Sequence, residues 1–139
     1  MSFYKKIVLK KVDAYNLQEL LITLVIIGIL ILIALPNLMP LISRTKSIEA
    51  QNQLNHLHSL QRNHFFMHST YSADFNVLDF VPPVTVANGG RANYQYEIIE
   101  STNNKFKARA TAITDFDGDG QFNVWEVDQD KKLVEIVKD

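Results

Sequence analysis

The 139-residue chain has no cysteine. A disulfide framework, a thiolate metal site and a cysteine nucleophile are thereby excluded, so a domain working outside the cytoplasm would need some other staple. A surplus of one charge is missing too: 14 Lys and Arg stand against 15 Asp and Glu. Nothing therefore draws the whole protein toward nucleic acid, which is not expected as a partner. The charge is uneven along the chain, however. Lys5, Lys6, Lys10 and Lys11 face only Asp13 near the start, whereas eight acids face three bases from Asp115 onward. There is no internal repeat and no spacing of nucleophile, base and orienting group, so no enzyme is expected and no residue is assigned as catalytic. The length allows one globular domain plus a membrane segment and short tails.

Charge is absent altogether from Leu20 to Leu35, sixteen residues interrupted in apolarity only by Thr23 and Gly28. As a helix this run spans about 24 Å, and about 35 Å if continued through Pro36 and Pro40 to Ile42. That is enough to cross a bilayer, and "PNLMPLISRTK" offers no signal-peptide cleavage site. Glu19 stands at the edge of the run. A carboxylate at mid-membrane costs about 2.5–3.5 kcal/mol, and each central Leu, Ile or Val returns about 0.3–0.6, so the apolar residues outweigh it. On physical grounds alone, Glu19 sits at the interface in the first helical turn, where it suits the helix dipole. Pro36 and Pro40 would kink the helix near the outer interface.

Glycine and proline are missing from Ser43 to Leu78. Ala50, Leu54, Leu57, Leu60 and Phe65 fall on one helical stripe there, so the membrane helix is expected to continue to about His68 with an amphipathic outer half. His64 and His68 lie four apart, a spacing able to hold zinc, but no Glu or Cys accompanies them and a solvated face is the simpler reading. "FVPPVTVANGGRANYQ" is loop material. Beyond it the period changes to two: Tyr94–Glu100 with Phe106–Ile113, and "FNVWEVD" with "KLVEIV", read as two hairpins. The fold class is α+β, a long N-terminal helix packed on a small antiparallel sheet. Lys105, Lys107 and Arg109 alternate on one strand as an ordinary solvated face.

"DFDGDGQFNVWE", Asp115 to Glu126, fits the DxDxDGx5E calcium-loop pattern. Asp115, Asp117, Asp119, the Gln121 carbonyl, Asn123 by side chain or water, and Glu126 are the candidate Ca²⁺ ligands, with Gly120 at the sharp turn and Phe122 as the core anchor. The flanks look like strands, so the loop is EF-hand-like in conformation only, and Glu126 could instead face solvent from its strand. A calcium clip would supply the missing staple.

The basic leader, the small residue Ala14, the aromatic Tyr15, Glu19 five residues into the following segment, and Pro36 within the long apolar helix together resemble the class III signal of type IV pilins and type II secretion pseudopilins. The resemblance implies cleavage between Ala14 and Tyr15 by a prepilin peptidase and N-methylation of Tyr15. It gives Glu19 and Pro36 assembly roles, Glu19 meeting the terminal amine of a neighbouring subunit and Pro36 loosening the helix in the filament. It also implies a leader at 1–14, a transmembrane and polymerisation helix at 15–43, and an extracytoplasmic head at 44–139, with an amphipathic helix at 44–70 and the sheet at 91–139 enclosing the acidic loop 115–126. The protein would begin in the inner membrane as a single pass with its head outside the cytoplasm, then join a pilus or pseudopilus. Its partners would be copies of itself and related pilins, the peptidase, the inner-membrane assembly platform and, before assembly, lipid. Two other readings stand beside this one: an uncleaved, signal-anchored calcium-binding module that never polymerises, and a minor pilin in DNA uptake.

Overall fold

The computed structural model describes residues 14–139. The leader's lysines and Asp13 lie outside the described residues. One helix, α1, spans Leu17–His68 and passes through both Pro36 and Pro40. Its start is marked by a side-chain cap: Asn16 precedes the first turn, and its backbone N–H donates to Glu19 Oε2 at 3.0 Å, satisfying a donor that the helix itself leaves open. The apolar side chains from Leu20 to Leu35 are exposed, as a bilayer-spanning surface requires. The helix is long and apolar enough to cross a membrane. Internal contacts divide the chain after Pro36, and the second unit is Asn37–Asp139.

Within that second unit the outer half of α1 carries the expected stripe. Ala50, Leu54 and Leu57 are fully buried, with Leu60 packed at the margin. The helix stops because Ser69 enters the left-handed region at φ 56°, and its N–H donates to the Phe65 carbonyl at 2.7 Å, closing the last turn.

Four strands follow, β1 (Tyr94–Ser101), β2 (Phe106–Ala112), β3 (Val124–Asp128) and β4 (Leu133–Val137). They form one antiparallel sheet in sequence order. The period-two pattern puts Tyr94 and Tyr96 of β1, Phe106, Ala108, Ala110 and Ala112 of β2, and Val127 of β3 in the core with the helix stripe. Alanine at three successive inward positions leaves room for the bulkier leucines of α1. The two hairpins and the α+β architecture thus form as the sequence patterning indicates.

The loop between helix and sheet is held by backbone bonds around Gly90. Its N–H donates to the Thr85 carbonyl at 2.8 Å, and Ala92 N–H donates to the Val84 carbonyl at 3.0 Å. A Cβ at position 90 would lie 1.9 Å from the Val84 oxygen, so only glycine fits there.

A second feature of α1 is polar. Gln61 is fully buried; its Nε2 donates to the Ser72 carbonyl at 2.6 Å and its Oε1 accepts the Ser72 N–H at 3.0 Å. Nearer the membrane segment, the Glu49 carboxylate accepts the Asn93 N–H and Nδ2–H, at 3.0 and 2.9 Å, while Lys46 Nζ donates to Asn93 Oδ1 at 3.0 Å. Buried polar groups persist only when partnered, so these side chains set how loop and sheet seat on the helix.

Candidate functional site

Two places carry the candidate residues: the start of α1 and the acidic loop. At the start, Ala14 and Tyr15 precede the helix and are exposed, so the bond between them is sterically open. Glu19 lies in the first turn with one carboxylate oxygen on the Asn16 amide. Its backbone carbonyl accepts the Thr23 hydroxyl at 2.8 Å. The other carboxylate oxygen has lone pairs to offer, as a carboxylate can accept several donors at once.

The acidic loop joins β2 to β3 and is shaped by its own aspartates. Asp115 accepts the N–H groups of Gly118 and Gly120 at 2.6 and 2.7 Å. Asp117 accepts from Asp119 at 3.0 Å, and Asp119 from Gln121 at 2.7 Å. Gly118 and Gly120 take φ near 83° and 88°, the left-handed turn that the short carboxylate caps require. A fourth acid closes the loop from the end of β4: the Asp139 carboxylate accepts Phe116 N–H at 2.9 Å and Asp117 N–H at 3.0 Å. Asp139 is itself buried, and its backbone oxygen accepts the Ser43 hydroxyl of α1 at 2.5 Å. Oxygens of Asp115, Asp117 and Asp139 all lie within 4.8 Å of one another.

The electrostatics of the loop are divided. The Gly120 amide is the largest influence on Asp115 and, with the other loop amides, holds its carboxyl below the ordinary aspartate value against some desolvation. At Asp117 the Asp119 amide pulls down, but desolvation and the charges of Asp119, Asp139 and Asp115 together leave the carboxyl raised. Such a loop repels itself, and a cation would relieve it. The donors are all carboxylate oxygens with spare lone pairs, a set that suits a hard ion such as Ca²⁺.

The structure does not bring every sequence-derived ligand to this cluster. Asn123 is fully buried; it accepts the Tyr94 hydroxyl at 2.7 Å and donates to Glu135 and the Val137 carbonyl at 2.7 and 3.0 Å. Its amide is consumed in joining three strands. Glu126 sits two residues into β3, where it accepts Arg109 Nη2 at 2.6 Å and Nε at 2.9 Å, with Lys107 at 3.9 Å. It serves the outer sheet face. Arg109 also lies 3.8 Å from Glu97, so the cations of β2 are paired across the sheet rather than free. Asp119 and Gln121 stay on the exposed rim of the loop. Phe122 is 45% exposed and is not the anchor; Phe116 is, packed 5.9 Å from the Tyr94 ring and lying 5.2 Å under Lys46 Nζ. Asp139 joins the cluster from the end of β4. It lies outside the loop pattern, and only its place after an alternating strand hinted at a return toward the loop.

No family model matches the chain. Against curated proteins, the chain is similar to the type IV major pilin protein PilA of Myxococcus xanthus (strain DK1622), at 36% identity over 81 residues. That stretch is 58% of this chain and 35% of that protein, so the chain spans about a third of the length of the curated relative it matches.

Proposed function

We propose that the chain is a structural subunit of a type IV pilus or of a type II secretion pseudopilus, and not an enzyme. The observation that carries the reading is the single 52-residue helix whose inner half is apolar and exposed while its outer half forms the core of a head. One half is built for lipid or for other helices, and the other fixes the head to it. Similarity to a major pilin supports the same conclusion. The subunit is cut between Ala14 and Tyr15, N-methylated at Tyr15, held in the inner membrane with the head outside the cytoplasm, and then packed with other subunits through its helix. In that assembly the second oxygen of Glu19 meets a neighbour's terminal amine, since a paired charge in an apolar bundle costs far less than a lone one. Pro36, which has no backbone N–H to give the helix, is where the helix loosens.

Calcium belongs to the same reading as the staple of a cysteine-free head. Asp115, Asp117 and Asp139 would hold it, and the ion would neutralise the loop's charge and bind the end of β4 to the loop.

A second reading draws on the cap at Asn16. One Glu19 oxygen is engaged within its own chain, which also suits an uncleaved, anchored calcium-binding module. A role in DNA uptake has less support, because Glu126 and Glu97 engage the cations of β2. The deciding experiment is the N-terminal mass of the protein recovered from membranes and shed filaments, with and without a prepilin peptidase. A chain beginning at methylated Tyr15 is the expected result. A chain retaining the leader in peptidase-competent cells would overturn the filament reading in favour of the anchored module.

A further inference from the structure

The filament reading leaves one pair of side chains at the end of α1 unused. His64 and His68 stand one helical turn apart, with ring centroids at 4.5 Å and planes inclined by 37°. His64 is nearly buried, and its Nδ1 lies 2.8 Å from the Thr70 carbonyl oxygen. A carbonyl only accepts, so Nδ1 carries the proton and the neutral ring keeps its lone pair on Nε2. Among the described residues nothing hydrogen-bonds to that nitrogen. A ring whose far nitrogen donates to a backbone carbonyl has its tautomer and orientation set for coordination through the other.

The second shell is itself anchored. The left-handed Ser69 turns the chain so that Thr70 returns beneath His64, and the Thr70 hydroxyl donates to Asn103 Oδ1 at 3.0 Å in the β1–β2 turn. His68, the last residue of α1, is exposed and can swing its ring toward the same point.

We propose that His64 and His68 form a two-histidine site for a divalent transition-metal ion, Cu²⁺ in preference to Zn²⁺, with water in the remaining positions. Imidazole suits copper and zinc alike, and the order of divalent affinities puts copper first. The site is separate in chemistry from the acidic loop, whose oxygen donors select hard ions.

The test uses the untagged full chain in non-ionic detergent, labelled at histidine and saturated with Ca²⁺ so that the acidic loop is occupied. Substoichiometric Cu²⁺ should broaden the imidazole resonances of His64 and His68 before those of His56 and His58. His68→Gln should weaken Cu²⁺ binding at least tenfold, and because His68 is exposed this variant keeps the fold. Zn²⁺ should bind the wild type more weakly than Cu²⁺. Equal broadening of all four histidines, or unchanged affinity in His68→Gln, would overturn the site, and tighter binding of Zn²⁺ would overturn its copper preference.

Discussion

Calcium should stabilise the head by mass action, and the increment separates the three-aspartate cluster from the loop pattern. With a dissociation constant of about 1 mM, in the range of weak extracellular sites, 10 mM Ca²⁺ contributes about 1.4 kcal/mol, or roughly 6–10 °C in Tm for a head of about 100 residues. The assay is thermal unfolding in detergent, followed by circular dichroism and by the fluorescence of the one tryptophan, Trp125, with Ca²⁺ or with a chelator. Asp139→Asn removes a charge from the cluster and should abolish most of the increment. Its baseline should also fall, since the Phe116 and Asp117 amides lose a charged acceptor, so increments and not absolute Tm values are compared. Glu126→Gln should keep the full increment, because Glu126 is committed to Arg109. No calcium increment in the wild type would refute the site. An increment lost in Glu126→Gln but kept in Asp139→Asn would refute the cluster and restore the loop pattern.

Three further outcomes follow from the packing. Gln61→Ala should cost about 2–4 kcal/mol in urea unfolding, as it deletes two hydrogen bonds and orphans both backbone groups of Ser72; a loss below about 1 kcal/mol would show that water or a shifted loop replaces the clamp. Gly90→Ala should destabilise by at least about 3 kcal/mol, since its Cβ would meet backbone and not a flexible side chain; near-neutral behaviour would mean that the Val84–Ala92 loop is not built as described. Tyr94 and Tyr96 are both raised, chiefly by burial and then by Glu49. Their folded-state values exceed the unfolded one, so the stability they contribute is present below about pH 10 and is lost as pH rises toward the folded values. Tyr94→Phe should flatten that alkaline loss, measured as Tm against pH from 8 to 11, and an unchanged slope would count against the burial argument.

Elements whose signal is local were legible in the sequence. The helix end at His68 and the four strands follow from a change of period, and the start of α1 from an uncharged run after Asn16 and Glu19. The acidic loop was legible as a loop but not as a ligand set. A linear pattern assumes that the chain after Asn123 continues around an ion, whereas β3 begins at Val124 and its pleat turns Glu126 outward onto Arg109. Asp139 could not be read because its relation to Asp115 comes from sheet topology, which brings the end of β4 back to the β2–β3 loop. The same holds for Gln61 and Glu49. On a helical wheel they are polar residues among polar residues, and only the packed sheet and loop show which are enclosed.

The bond from Ser43 to Asp139 joins residues 96 apart in sequence, whereas every strand pairs with its neighbour in the chain. Pairings of low sequence separation form quickly, and closing a long loop is entropically slower. The sheet is therefore expected to zip as a meander first, with its end fastened to the helix last. The folding head would thus spend an interval with its sheet formed and its final latch open. During that interval the meander already holds the Asp139 carboxylate on the amides of the acidic loop, so a divalent ion bound there would steady the end of β4 before Ser43 reaches it, and the speed of folding, not only its end point, becomes sensitive to the ion.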